Sequence, residues 1–202
     1  MARASRADEG TAARILDVAE RLVQVRGFNG FSYADIAAEL HITKAALHYH
    51  FAGKADLGEA LISRYASRFA DALAGVDAVA AAASARLSGY ADLYLQVLRN
   101  RKMCLCGMLA AEYQTLPQPM QDAVVRFLDE NETWLERVLE HGREDGSLQF
   151  RGTPRDTARL IISSLEGAML VARPYGDVDR FRAVAQSLLA GLVRPSAAPA
   201  VA

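Results

Sequence analysis

Cysteine is nearly absent. The two in this 202-residue chain, Cys104 and Cys106, are too few for a disulfide framework, which points to a reducing cytoplasm. Long apolar runs are missing as well. None approaches the roughly 18 residues of a membrane span, and the opening "MARASRADEG" has no apolar stretch of the kind a secretory leader carries. There is no excess of basic charge: 23 Lys and Arg stand against 24 Asp and Glu, a net charge of −1. Any surface that binds nucleic acid must therefore be a local patch. Six prolines and 14 glycines are sparse and clustered, and no stretch of strand-like alternation stands out. With few breakers, no strand pattern and abundant alanine and leucine, an all-α fold is what remains.

What is present is helical periodicity. Ile15, Val18, Ala19, Leu22 and Val25 recur at helix spacing and predict an amphipathic helix over 11–26, after a short flexible arm. Gly27 stops it. A short helix over 33–40 follows, with Ser32 as N-cap and Asp35 three residues on as its capping-box partner. After the turn "HI", Thr43 caps a second short helix over 44–50, and "AGK" leads into a long one over 54–74. Further helices are expected over 85–99, 103–115, 119–144, 154–172 and 178–193, about nine in all. "LPQP", "EDGSLQFRGTP" and "RPYGD" break them, and "RPSAAPAVA" reads as a frayed tail.

The stretch "HITKAALHYHF", residues 41–51, holds three of the four histidines. They make a poor metal site, because His48 and His50 face different sides of a helix and no i, i+4 histidine pair exists. No nucleophile or carboxylate stands in a catalytic arrangement with them. Two short helices joined by a tight turn instead form a helix-turn-helix pattern. Leu47 and Phe51 pair inward with Ile36 and Leu40, which turns Ala45, His48 and Tyr49 outward on one face. Ala45 and Ala46 are small enough for the backbone to approach a groove. Lys44 at the helix start and Lys54 at the start of the next helix stand where free N–H groups favour a phosphate. The second helix of such a motif docks in the DNA major groove.

The segment "FSYADIAAELHITKAALHYHFAGKADL" resembles the DNA-binding signature of the TetR family of bacterial transcriptional regulators, and the match extends over about residues 11–60. The resemblance implies that Thr43, Lys44, His48, Tyr49, His50 and Lys54 make backbone and base contacts. It also implies that Ser32 and Tyr33 touch phosphate and that Ala45 and Ala46 lie against the bases. Arg3 and Arg6 on the arm are candidates for further contacts. Two residues depart from the family pattern: His48 stands where tyrosine is common, and His41 where a small residue, often glycine, is usual. The implied organisation is a DNA-binding domain over 1–54 and a regulatory, ligand-binding and dimerisation domain over 55–202. The implied protein is a cytoplasmic homodimer on a palindromic operator, with no cofactor, metal or catalytic site. The competing reading is a helical small-molecule carrier or enzyme that does not bind DNA.

The body adds its own signals. Leu160, Ile161, Ile162, Leu165, Ala168, Met169, Leu170 and Val171 surround their helix, so it needs covering on nearly all sides. Phe181, Val184, Ala185, Leu188, Leu189 and Leu192 form a clean stripe on the last helix. These two helices are expected to build a four-helix bundle with a second copy, the alternative being an ordinary monomer core. A sensing pocket is expected among Phe69, Tyr90, Tyr94, Met108, Tyr113, Trp134 and Glu166, with plain core packing as the alternative for each. Cys104 follows Arg101 and Lys102 near a helix start, features that raise thiol reactivity. Its context "C-L…L-x-A-E" resembles that of the reactive cysteine in the family's electrophile-sensing repressor of N-ethylmaleimide reductase. A thiol sensor and a small buried hydrophobe are the two readings of Cys104.

Overall fold

The computed structural model describes residues 2–193, with side chains described from residue 10 onward. The expected frayed tail, 194–202, lies outside the described residues, as do the side chains of Arg3 and Arg6. Among the described residues the fold is all-α, with α1 (Ala2–Arg26), α2 (Tyr33–Leu40), α3 (Lys44–His50), α4 (Lys54–Val79), α5 (Ala83–Arg99), α6 (Leu105–Ala111), α7 (Gln118–Glu144), α8 (Pro154–Ala172) and α9 (Val178–Ala190). One isolated bridge joins Leu148 and Val193.

The local signals that set the helix starts are in place. Asp35 accepts from both the backbone N–H and the hydroxyl of Ser32, each at 2.7 Å. The Thr43 hydroxyl oxygen accepts from the Ala46 N–H at 3.1 Å, and that of Thr153 accepts from the Asp156 N–H at 3.0 Å, with Pro154 in the first turn. Four helices differ from expectation by more than two residues. α1 begins at Ala2 rather than following a flexible arm, as the alanine-rich opening has no proline to stop it. α4 continues five residues further, to Val79, through a stretch that likewise lacks a breaker. The helix expected over 103–115 divides into α6 and a 3-10 turn, Tyr113–Thr115, because the chain leaves the α conformation at Glu112. α9 ends at Ala190, where Gln149 N–H meets Leu192 O at 2.8 Å and draws the chain out of the helix.

The chain packs as two compact units. One holds the chain up to Ala70 together with Arg101–Leu128; the other holds Asp71–Asn100 together with the chain from Asp129 on. Packing thus groups residues 101–128 with the helix-turn-helix segment. In the first unit, Ile15 and Ala19 of α1, Ile36 of α2, Leu47 of α3, Leu57 of α4, and Leu105 and Leu109 of α6 are fully buried. Each such Leu or Ile contributes about 1.5–3 kcal/mol by leaving water. Gly58 permits a close approach, since a Cβ there would meet the Met120 sulfur at 2.4 Å. In the second unit α8 packs chiefly on α9, and both pack on α5. Its core includes Leu87, Tyr90, Leu135, Ile161, Leu165 and Phe181.

Candidate nucleic-acid interface

The turn between α2 and α3 is set by backbone alone. His41 takes the left-handed conformation (φ 54°, ψ 42°). Its N–H bonds Ala38 O, and the Ile42 N–H bonds Ala37 O at 3.0 Å. This is the Schellman arrangement, which usually employs glycine at the left-handed residue. Thr43 then restarts the helix. α3 is anchored by Leu47, which is fully buried, and by the half-buried Phe51 just beyond it. Thr43, Lys44, Ala45, His48 and Tyr49 are exposed, while Ala46 and His50 are half-buried. Tyr49 keeps 75% of its surface open, with its ring edge-on to His50 at 5.2 Å. The described residues give Lys44 no carboxylate partner, so its charge stays available.

Tyr33, Ser32 and Lys54, all expected contact residues, are among those with partners inside the unit. The Tyr33 hydroxyl donates to Phe51 O at 3.1 Å, and burial, reinforced by the Asp56 charge, pushes its pKa up to about 12. Tyr33 is therefore a neutral donor. Ser32 remains exposed, although its hydroxyl donates to Asp35. Lys54 departs most from expectation. Its ammonium is turned in, donating to Phe28 O and Phe31 O and lying over both rings, 4.5 and 4.2 Å from their centroids. Burial lowers its pKa, opposed by the charges of Glu112 and Asp35. The loop before α2 offers two carbonyls and two ring faces that a cation satisfies well.

Sequence reasoning missed Glu112 as a positioning group. Its carboxylate accepts from the Phe28 N–H at 2.5 Å and the Asn29 N–H at 3.3 Å, and Asn29 Nδ2 donates to the Thr115 hydroxyl at 2.7 Å. The end of α6 is thereby tied to the loop that leads into α2. A Cβ on Gly27 (φ 83°) would lie 2.7 Å from Glu112 Oε1, so this glycine serves both the turn and the tie.

The expected pocket residues divide between the units. Tyr90, Tyr94 and Trp134 come together in the second unit. Tyr90 stacks on Trp134 with centroids 5.7 Å apart, and its hydroxyl meets that of Tyr94 at 3.1 Å and Asn131 Oδ1 at 3.2 Å. The Trp134 indole N–H donates to Asp77 at 2.9 Å. Glu166, half-buried on α8, belongs to the same unit. Phe69, Met108 and Tyr113 belong to the first unit, where Phe69 joins Tyr65 and Phe127 in an aromatic cluster. None of the seven lines the open groove of about 440 Å³ between α5 and α9, whose walls include Leu87, Leu95, Phe181 and Leu189. Cys104 is 2% exposed, with the Tyr65 hydroxyl 3.8 Å from its sulfur, and Cys106 is buried as well.

Among the described residues no group of three or more His, Cys, Asp or Glu could hold a metal ion, and no helix is long and apolar enough to cross a membrane. Residues 15–61 match the family model "Bacterial regulatory proteins, tetR family", and residues 83–188 match "Tetracyclin repressor-like, C-terminal domain". A TetR-family transcriptional regulator from Agrobacterium tumefaciens, of solved structure, is 31% identical. It superposes with a TM-score of 0.90, covering 93% of this chain and 100% of its own. The transcriptional regulator AcuR of Cereibacter sphaeroides is 30% identical over 73% of this chain and 69% of its own. The transcriptional repressor NemR of Escherichia coli (strain K12) is 24% identical over 82% and 85%. A helix-turn-helix with a capped second helix, and family models matching residues 15–61 and more than half the chain's length, lead to one conclusion: the chain belongs to the tetR family of bacterial regulatory proteins and is a DNA-binding transcriptional regulator.

Proposed function

We propose that this regulator is a repressor that grips a palindromic operator as a homodimer and releases it when an effector acts on the body. The observation that carries the reading is the outward face of α3, where Ala45, His48 and Tyr49 are exposed on a helix anchored by Leu47. Small residues beside an open aromatic ring make a surface that fits a groove. Lys44 and Thr43 supply phosphate contacts at its start, and Ser32, Tyr33, Ala46 and His50 complete the rim. Lys54 is assigned instead to holding the loop before α2. Selection of duplexes from a random pool tests this, with a palindromic motif as the expected result. Lys44→Ala then weakens every duplex alike and flattens the salt dependence, whereas Tyr49→Ala also blurs the motif. No enrichment at low salt would remove the reading, and the carrier or enzyme alternative would take its place.

Dimerisation is assigned to α8 and α9, whose outward apolar side chains a single copy leaves open. For the effector, the Tyr90, Tyr94 and Trp134 set with Asn131 suits a small aromatic or amphipathic molecule, being apolar with few polar groups. Glu166 is a further candidate beside it, and Phe69, Met108 and Tyr113 are candidates in the other unit. A thiol route is the second reading, favoured by the Tyr65 hydroxyl beside Cys104. In it the Cys104 sulfur adds to an electron-poor alkene carbon, and the thiol proton ends on the other alkene carbon. Because Cys104 is buried, the reagent gains access only as the segment opens. Operator release by N-ethylmaleimide that survives Cys104→Ser undiminished would dismiss this route.

A further inference from the structure

His48 stands on the outward face of α3 with one of its two ring nitrogens already committed. Nδ1 lies 3.0 Å from the carbonyl oxygen of Ala52, in the turn after α3. A carbonyl oxygen only accepts, so the proton in that contact sits on Nδ1. A neutral imidazole has a single ring proton, which leaves Nε2 with a lone pair and no hydrogen. The ring is held in this sense by its neighbour. Tyr33 lies against it with centroids 4.9 Å apart, and Tyr33 is itself fixed by the bond from its hydroxyl to Phe51 O. Turning the imidazole over would give up the Ala52 contact and present a C–H in its place.

An exposed nitrogen that can only accept is a poor partner for the DNA backbone, because phosphate oxygens also only accept. In the major groove the donors on base edges are the N6 amino group of adenine and the N4 amino group of cytosine. Guanine N7 and O6 and thymine O4 all accept. Resting on the reading of α3 as the recognition helix, we propose that His48 is a specificity-determining residue that accepts a hydrogen bond from the exocyclic amino group of one adenine or cytosine in each half-site. A tyrosine at this position has a hydroxyl that both donates and accepts, and is equally at home on a phosphate. A neutral histidine held through Nδ1 favours the base edge. Lys44, whose ammonium only donates, is its electrostatic complement on the same helix.

The test compares duplexes enriched from a random pool by the full-length protein and by His48→Ala. The wild-type motif is expected to contain one position per half-site whose preference vanishes in the variant. At that position the amino group is then removed from whichever strand carries it, using purine for adenine or pyrimidin-2-one for cytosine. The wild type should lose about 3- to 10-fold in affinity, the worth of one hydrogen bond, and His48→Ala should lose nothing further. His48→Phe guards against a folding artefact: it keeps an aromatic ring beside Tyr33, should keep binding DNA and should no longer distinguish the base from its analogue. The proposal is overturned if His48→Ala weakens all duplexes alike with a shallower salt dependence, which marks a phosphate contact. It is equally overturned if the analogue costs wild type and variant the same. A wild type that enriches no duplex overturns the reading of α3 and this inference with it, whereas specific binding without a His48-dependent position overturns the inference alone.

Discussion

His41 carries the turn of the DNA-binding motif in a conformation that an L side chain adopts at a cost of roughly 1–2 kcal/mol. Glycine would remove that cost but enlarge the unfolded ensemble by about 0.4–1 kcal/mol. His41→Gly should therefore stabilise the protein by at most about 1.6 kcal/mol, and His41→Val, β-branched at positive φ, should destabilise it by more than about 1 kcal/mol. Urea unfolding of the three proteins checks the order, and a valine variant as stable as the wild type would mean the turn does not take this shape. Asp35 makes a second prediction. The Ser32 hydroxyl, helped by the Ser32 backbone N–H, holds its pKa below the ordinary 3.8. A carboxyl lowered on folding contributes stability that is complete above the unfolded value and is lost as pH falls through the folded one. The start of α2 should thus hold down to about pH 4 and weaken below it. Asp35→Asn should remove that dependence, and identical acid transitions for the two proteins would contradict it.

The helices divide into those whose ends are legible in the sequence and those whose ends are not. α2, α3 and α8 start where the sequence predicts because their caps pair residues three apart: Ser32 with Asp35, Thr43 with Ala46, Thr153 with Asp156. The end of α6 is set by Glu112 meeting Phe28 and Asn29 across 84 and 83 positions, and no local signal announces it. The inward turn of Lys54 is unannounced for the same reason, since Phe28 and Phe31 lie 26 and 23 positions earlier. A helix start favours a phosphate only when the cation has no better partner at home. The tie has a measurable consequence. Glu112→Ala strands two backbone N–H groups and removes a carboxylate charge that acts on Lys54, so stability should fall by about 1–3 kcal/mol. Thr115→Val loses the bond to the exposed Asn29 amide and one of the two bonds to Glu112 O, and should cost less. Hydrogen exchange at the Phe28 and Asn29 amides should accelerate in Glu112→Ala, and unchanged exchange there would show that the carboxylate does not hold the loop.

At the scale of the whole molecule, periodicity says that a side chain is covered but not by what. The pattern of α8 called for apolar surroundings on nearly every side, and the fold supplies them for Ile161, Ile162, Leu165, Ala168 and Met169. Leu160, Leu170 and Val171 stay 54%, 59% and 61% exposed, and Val184 on α9 stays 44% exposed. Between these apolar positions on α8 stand Ser163 and Gly167, both exposed, and a Cβ on Gly167 would meet nothing within 4 Å. Small residues flanked by apolar ones let two helices approach closely, and a two-fold axis lets one patch cover itself. The same logic explains why the expected pocket residues could be named but not grouped: a stripe position predicts burial, while the partner comes from another helix. If α8 and α9 pair two copies, Gly167→Arg and Val171→Glu should each give a monomer by light scattering with helix content retained. Each monomer keeps its reading helix but loses the second half-site contact, so operator affinity should fall by about 100-fold or more. Affinity for an isolated half-site should stay unchanged. A dimer that survives both substitutions would move the interface elsewhere on the body, whereas a monomer that still binds the full operator as tightly would remove the need for two linked heads.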